Sequence, residues 1–247
     1  MSLLFRQHNE LEAQVNDYLD LVVHSGVLFR SALQLVLQDR PDEFHGRLRE
    51  LHAVSRQASE RRWDMTSRFC RPTVMARPRS DLAAFLESTE TLMRRMHATL
   101  VKYAVEQPEP ALDGNTLLVE LAEAVKVSID SMAAAVRSHL RNTADASEQA
   151  DRARQAREHT SLLGEKYRRM IFRMDLRLSH KNQLCAFAEA MERIADGATD
   201  AADQMAVSGS GRRSTFNVWA LGQVATGWLV LSIVAVVVTF VATLFAS

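Results

Sequence analysis

The sequence predicts an all-α protein, with a helical body of two tandem three-helix units and one C-terminal transmembrane helix. Only nine of the 247 residues are Gly and five are Pro, and helix-favouring residues such as Ala, Leu, Arg and Glu are abundant. All 30 basic and 30 acidic side chains lie before residue 214, so the last part of the chain is uncharged. A segment of the third predicted helix recurs in the sixth. These observations predict a charged, duplicated helical body and an apolar tail.

Apolar spacing and prolines divide the body into six predicted helices. Their expected ranges are 3–38, 42–69, 80–106, 115–142, 146–174 and 179–207, with a proline-containing break that extends to Pro78 before the third helix. The break between residues 108 and 114 separates a first three-helix unit, 1–107, from a second, 113–207. Helices of this length suit an elongated bundle. The Ser- and Gly-containing residues 208–216 are expected to form a flexible linker.

The two units share a motif in their third helices. Residues 82–92 read LAAFLESTETL and residues 184–194 read LCAFAEAMERI, with five of eleven positions identical at an offset of 102. Phe69 and Phe172 close the second and fifth predicted helices at nearly the same offset. The shared motif, helix order and offset predict that the body consists of two copies of one three-helix unit.

The apolar tail, 217–246, is long enough to cross a membrane. Residues 218–246 contain 22 apolar side chains among 29 and no charge, and at about 1.5 Å per residue they exceed a hydrocarbon core of about 30 Å. Arg212 and Arg213 precede this span, and the positive-inside bias then places the body in the cytoplasm and the C-terminus across the membrane. The sequence therefore predicts a single-pass, tail-anchored protein of the cell (inner) membrane.

Five residues of the span are candidates for contact with the bilayer or with a partner helix. Trp219 lies at the predicted interface and Trp228 lies deeper, while Gln223 is the only amide between residues 218 and 246. Gly222 and Gly227 would permit close approach of another helix. Two interpretations stay open: Gln223 faces a partner helix, or it is a tolerated polar residue near the interface.

Composition and motifs exclude several functions. The formal net charge of zero provides no bulk excess of Lys and Arg for nucleic acid. Cys70 and Cys185 belong to no CxxC or Cys/His cluster and are expected to be buried small side chains. The sequence contains no Gly-rich phosphate loop and no nucleophile elbow. It therefore predicts a protein that is not an enzyme.

Two tandem three-helix units, each with an acidic motif on its third helix, resemble the PhoU family, including the PhoU-like accessory proteins of Pit-type phosphate transporters. In that family the motif E/D-x-x-x-D collects metal ions. The segment from Glu192 to Asp196, continuing to Asp200, is similar to this motif. The resemblance covers the whole body and implies a divalent or ferric metal ion in the second unit, with Glu158 of the fifth helix as a further ligand.

The first unit departs from the family motif. Glu90 is present, but Arg94 stands at the position that corresponds to Asp196. Ser55 and Ser59 stand where acids would be needed on the paired helix. Because a cation opposes the binding of another cation and serine supplies no charge, no metal site is predicted in this unit.

The acidic residues of the second unit allow two interpretations. Glu192, Asp196 and Asp200 follow one stripe of the sixth helix, and could gather an oxygen-ligand site with Glu158. Alternatively, they form an exposed acidic stripe that pairs with arginines, for which the candidates are Arg154, Arg157 and Arg193.

A second possible metal site involves histidine. His45 and His52 lie seven residues apart on one helix face, without carboxylates to orient them. This pair is expected to consist of ordinary, partly exposed histidines.

The resemblance implies a regulatory protein. We expect its body, held at the lipid bilayer, to dock on a multispanning membrane transporter of phosphate or another inorganic anion and to modulate it. A homo-oligomer stays open, and nucleic acid is not an expected partner. The alternative is a membrane-anchored helical scaffold or oligomerising protein with no link to phosphate or metal.

Overall fold

The computed structural model describes residues 2–69, 77–109, 114–141 and 145–205, which form six α-helices and no strand. The helices are α1 (Ser2–Leu37), α2 (Pro41–Phe69), α3 (Arg77–Glu106), α4 (Asn115–Leu140), α5 (Ala146–Arg173) and α6 over 178–205. All belong to one compact unit, Met1–Ala206. The all-α prediction is confirmed for these residues. The predicted linker and membrane span, with Arg212, Arg213, Trp219, Gly222, Gln223, Gly227 and Trp228, lie outside them.

Two helices have a proline in their first turn. α2 begins at Pro41, and α3 begins at Arg77, so that Pro78 is its second residue. Proline is tolerated there because the first backbone N–H groups of a helix have no intrahelical acceptor. The prediction that a break extends to Pro78 is therefore wrong, and α3 starts three residues earlier than expected.

Two helices end on residues in the left-handed backbone region. Asp39 follows α1 with a φ of 54°, and Gln107 follows α3 with a φ of 40°. The N–H of Arg40 donates to the carbonyl of Leu35 at 3.0 Å, as in a Schellman motif. Such a turn usually contains Gly, so a residue with a Cβ there indicates that surrounding contacts hold the helix end in place.

The helix α1 contains a long apolar stretch. An 18-residue stretch between Asn9 and Leu37 has a mean hydropathy of 1.3, and by length and composition alone this helix could cross a membrane. Its apolar side chains Val15, Leu19, Val22 and Phe29 are, however, completely buried in the body. Contacts with α2, α3 and α4 account for this burial. A core helix explains the hydropathy of α1 without a membrane.

The two halves of the body pack antiparallel. Arg137 of α4 pairs with Asp20 of α1 at 2.5 Å, and Arg141 pairs with Glu12 at 3.2 Å. As the numbers rise along α4 they fall along α1. The same relation joins α3 and α6, where Ser88 donates to Gln204 at 2.9 Å.

A second contact fixes the direction of the α3–α6 pair. The guanidinium of Arg95 donates to the backbone carbonyl of Arg193 at 3.0 Å. Each three-helix segment therefore contacts the other through its first and third helices. The second helix packs within its own segment: α2 lies against α1 and α3, and α5 lies against α4 and α6.

Burial in α3 recurs in α6 at the offset of 102. The positions are 82, 85, 86, 89, 92, 93, 96, 99, 100 and 103 in α3, and each has a buried counterpart in α6. At four of these positions the side chain is larger in α3 than in α6: Leu86, Met93, Met96 and Leu100 correspond to Ala188, Ala195, Ala198 and Ala202. Alanine positions allow neighbouring helices to approach closely, so the same face is built with smaller side chains in the second copy.

One buried polar contact joins α1 to α3. The hydroxyl of Tyr18 lies 2.8 Å from the hydroxyl of Thr89, and it donates to the carbonyl of Leu86 at 3.4 Å. Tyr18 is completely buried, and burial raises its pKa to about 12 although the Thr89 bond lowers it. This hydrogen bond fixes α1 against α3 one residue before Glu90.

Candidate functional site

The site begins with Glu192, which α6 places against α5. Its carboxylate accepts a hydrogen bond from Arg168 Nη1 at 2.6 Å. The two side chains are only 18% and 30% exposed, for Glu192 and Arg168 respectively. A carboxylate with so little solvent requires a partner, and a charge-assisted bond to arginine supplies it.

Gly164 makes room for this carboxylate. A Cβ built on Gly164 would lie 1.4 Å from Glu192 Oε1 and 2.4 Å from its Cδ. The acid therefore lies in a notch in α5, directly on the backbone, and Arg168 reaches it from one turn further along the same helix. The notch and Arg168 together hold the head group of Glu192.

Two further acids of α6 also have arginine partners on α5. Arg157 Nε contacts Asp196 Oδ1 at 2.5 Å, and Arg154 Nη2 contacts Asp203 Oδ1 at 2.7 Å. The hydrogen bond and the charge of Asp196 raise the pKa of Arg157. These pairs are about half exposed, so each stabilises the protein less than the pair at Glu192 does. A ladder of three ion pairs therefore joins α5 to α6.

A polar cavity of about 260 Å³ opens beside this ladder. Three of the predicted acidic residues share it, and hydroxyl groups and one arginine complete its wall: it is lined by Arg157, Glu158, Thr160, Ser161, Glu192 and Asp196. The sequence prediction thus located Glu158, Glu192 and Asp196 at one site. The fourth predicted residue, Asp200, is exposed and is not part of the lining.

The first unit has a counterpart at Glu90. Arg62 Nε of α2 lies 2.8 Å from Glu90 Oε2, and Ser59 donates to Glu90 Oε1 at 3.2 Å. Glu90 is 23% exposed. Arg94, which takes the place of Asp196, is exposed and donates to Thr91 at 3.0 Å. Each copy of the motif therefore contains a half-buried Glu that is paired with an arginine of the middle helix.

The two copies reach this pairing differently. The offset of 102 that relates α3 to α6 also aligns α2 with α5. Under this alignment the buried Leu51 corresponds to the buried Ala153, and the buried Met65 corresponds to the buried Tyr167. Under the same alignment Arg62 of α2 corresponds to Gly164 of α5. In the second copy the arginine has therefore moved by one turn to Arg168, and the vacated position is the notch. An arginine therefore neutralises the glutamate in both copies, although it comes from a different position of the middle helix.

The arrangement does not fit the metal ion that the resemblance implies. Glu192 and Asp196 are each occupied by a guanidinium, which stands where a cation would have to bind. Within the ranges that the structure describes, no group of three or more His, Cys, Asp or Glu side chains is placed to hold a metal ion. The metal site of the second unit stays a prediction, and the ion pairs weigh against it.

Of the arginines expected as partners of the acidic stripe, Arg154 and Arg157 form the ladder, while Arg193 lies near Glu189 at 4.0 Å. Arg168 and Gly164 were not predicted. Arg168 stands 24 residues before Glu192, and only the antiparallel register of α5 and α6 brings the two together. The signal available in the sequence was Gly164 itself, because a glycine inside a helix costs about 1 kcal/mol relative to alanine and can mark a position without room for a side chain.

A larger cavity of about 430 Å³ lies elsewhere, between the α1–α2 turn and the end of α3. Its wall combines the rings of Phe44, His45 and Tyr103 with the turn residues Asp39 and Gln107. None of the acidic residues of the predicted metal site lines it.

Comparison with solved structures supports the architecture. A PhoU-like protein from Shewanella oneidensis MR-1 superposes with a TM-score of 0.73 at 12% identity, over 81% of this chain and 99% of that chain. A second structure from the same organism, described as a PhoU-like phosphate regulatory protein, has a TM-score of 0.72 at 12% identity, over 80% of this chain and 98% of its own. No protein-family model and no curated protein matches the sequence.

The fold of the body is therefore PhoU-like, as the sequence resemblance implied. At 12% identity this similarity establishes the fold alone.

Proposed function

We propose that this protein is a PhoU-like regulatory protein, anchored at the membrane by residues 217–246, that docks on a multispanning transporter of phosphate or another inorganic anion and modulates it. The observation that carries the proposal is the PhoU-like fold over the whole described body, shared with a protein described as a phosphate regulatory protein. The uncharged C-terminal segment supports the membrane location.

The ion-paired site supports a binding role for the body. The half-buried acids Glu90 and Glu192 are both neutralised by arginines of their own unit. Paired in this way they stabilise the packing of α2 on α3 and of α5 on α6, rather than serving as general acids or bases. A rigid bundle presents its outer helix faces to a partner in a constant arrangement.

The outer faces of α2 and α5 carry large exposed apolar side chains. Trp63, next to Arg62, is 68% exposed, and Leu162, two residues before Gly164, is also exposed. Tryptophan is enriched among the residues that contribute most to binding energy in protein interfaces. We assign Trp63 to the docking surface for the transporter.

An anchor strengthens such docking without a tight interface. Confinement to the membrane raises the concentration of the body near a membrane partner, and linked binding can increase overall affinity by about 10²–10⁴. A weak contact at Trp63 would then be sufficient.

Purification of the full-length chain in mild detergent tests the proposal. We expect a multispanning transporter to co-purify, and phosphate uptake to change when the protein is deleted. Replacing residues 217–246 by an unrelated membrane span should preserve regulation if this segment only anchors the body, whereas removing the segment should weaken it. Recovery of self-assembled chain alone, together with unchanged phosphate uptake on deletion, would contradict the proposal and favour a helical scaffold.

Point variants test the docking surface. Trp63→Ser should reduce transporter recovery without changing the unfolding temperature, because the ring is exposed. Leu178→Ser is a matched control, since Leu178 is 65% exposed but lies at the start of α6. Equal recovery with both variants would remove Trp63 from the interface.

A further inference from the structure

A pair of histidines lies on the surface of α2 and α3, outside the ion-paired site. The rings of His52 and His97 have their centroids 5.0 Å apart and are tilted by 44°. His52 is exposed, and His97 is half-buried. From its spacing in the sequence, His52 was expected to pair with His45 on the same helix, whereas in the structure its ring contacts His97 of the adjacent helix.

We propose that His52 and His97 form a surface binding site for a transition-metal ion of the Zn²⁺ type, which would bridge α2 and α3. Imidazole is a preferred ligand of such ions, with a Zn–N distance of about 2.0–2.1 Å. That distance places each ring centre about 3.2 Å from the metal, so two imidazoles at a tetrahedral angle have centroids about 5 Å apart. The observed separation agrees with this requirement.

Local charge is compatible with binding of a cation. Burial lowers the pKa of His97, and the neighbouring His52 lowers it further, so at neutral pH the imidazole is in the neutral form that binds metal. Two arginines that lie one turn from these histidines have partners further away along the helix. Arg94 donates to Thr91, on the side of Arg94 away from His97, and Arg56 lies near Glu60, on the side away from His52.

A nearby hydroxyl offers support for the rest of the coordination shell. Ser55 lies one turn after His52 on the face of α2 that contacts α3. Within the part of the chain that the structure describes, its Oγ is buried and has no hydrogen-bond partner. Two histidines leave two positions of a tetrahedral ion to water, and Ser55 can accept a hydrogen bond from one such water.

This site is independent of the proposed function and of the acidic site. His97 lies two turns after Glu90 on α3. The ligands of the proposed histidine site are nitrogen atoms, whereas the acidic motif would supply oxygen atoms. Ions of the Mg²⁺ type prefer oxygen ligands, and Zn²⁺ accepts imidazole readily.

Calorimetric titration of the full-length protein with ZnCl₂ in mild detergent at neutral pH tests the proposal. We expect one Zn²⁺ per chain, and a rise in unfolding temperature of about 5–10 °C at a free-ion concentration 100 times the dissociation constant. Affinity should fall in acid as His97, whose pKa is lowered by burial, becomes protonated and no longer offers a free nitrogen to the metal. Co²⁺ in place of Zn²⁺ should give a visible absorption band that reports nitrogen ligation.

Variants distinguish this site from others. His52→Ala and His97→Ala should each weaken Zn²⁺ binding at least tenfold. His45→Ala, on the same helix, and the double variant Glu192→Gln/Asp196→Asn should bind Zn²⁺ as the wild type does. Absence of Zn²⁺ binding by the wild type, or unchanged affinity in His97→Ala, would overturn the proposal.

Discussion

Glu192 Oε1 lies 1.4 Å from the position that a Cβ on Gly164 would occupy. No side chain can be added to Gly164 while the carboxylate stays in its notch and accepts the hydrogen bond from Arg168. The contact between α5 and α6 therefore depends on a residue that has no side chain.

The variant Gly164→Ala should destabilise the body. Alanine favours helix over glycine by about 1 kcal/mol, but here Glu192 must leave the notch and lose Arg168, so we expect a net cost of about 1–3 kcal/mol. Thermal unfolding followed by circular dichroism measures this. Gly46→Ala on α2 is the matched control: its added Cβ meets no atom within 4 Å, and it should be stabilising by about 0.5–1 kcal/mol. Equal effects of the two substitutions would contradict the notch.

The Arg168–Glu192 pair should show strong energetic coupling. A double-mutant cycle with Arg168→Met and Glu192→Gln should give a coupling free energy of about 1–3 kcal/mol, because the pair is partly buried and well aligned. The pair Arg169–Glu165 is 72% and 50% exposed and should give about 0.3–0.5 kcal/mol. Coupling at Glu192 no larger than in this control would show that the buried pair contributes only as much as a surface pair.

Because the arginines of the ladder already neutralise the acidic site, metal ions that prefer oxygen ligands should not change the stability of the wild type. We expect Mg²⁺, Mn²⁺ and their chelation to leave the unfolding temperature of the wild type unchanged. Arg157→Ala/Arg168→Ala frees Glu192 and Asp196 beside Glu158, and this variant should unfold at a lower temperature and be partly restored by millimolar Mn²⁺. Adding Glu192→Gln should abolish the restoration. Stabilisation of the wild type by Mg²⁺ or Mn²⁺ would instead support the metal site that the sequence resemblance implied.

Alkaline pH should unfold the body through its tyrosines. Burial raises the pKa of Tyr18 and of Tyr103 to about 12, and it also raises the pKa of Tyr167, whereas tyrosine in an unfolded chain titrates near a pH of about 10. The unfolded state therefore loses its protons first. The stability that these groups contribute is present below a pH of about 10 and is lost as the pH rises towards 12.

Ultraviolet absorbance of tyrosinate, recorded together with circular dichroism, checks this prediction. Tyrosinate should form only as the helices unfold. In Tyr18→Phe the loss of stability between pH 10 and 12 should be smaller, because one of the three titrating groups is gone. Tyrosine ionisation near a pH of 10 in a protein that keeps its helices would contradict the burial of these hydroxyls.

Periodicity and breakers predicted much of the fold, and the missed helix boundaries have physical reasons. Six helices were expected from apolar spacing, and six are present in the described residues. The early start of α3 was missed because Pro78 was taken as a breaker, although a first turn accepts proline. The left-handed ends at Asp39 and Gln107 have no Gly or Asn to signal them.

At the site, the predicted acids were found together but their partners were only partly foreseen. Glu192 and Asp196 line one cavity because residues four apart on a helix share a face, a regularity that can be read from spacing, whereas Glu158 joins them from α5 through the packing of the two helices. Arg168 likewise meets Glu192 only through the register of two packed helices. The neighbourhood of His52 and His97 has the same origin, since 45 positions separate them in the chain.

By itself the sequence determined the helical class, the duplicated motif at an offset of 102, the acidic stripe of α6 and an uncharged C-terminal segment. These features depend on composition and on local periodicity, which act within a few turns of helix. Only the tertiary structure decided that each half-buried glutamate meets an arginine, that Gly164 opens the notch for Glu192, and that two histidines face each other across α2 and α3. Those contacts depend on the register between helices, which is set by side-chain packing over the whole core and not by any single segment.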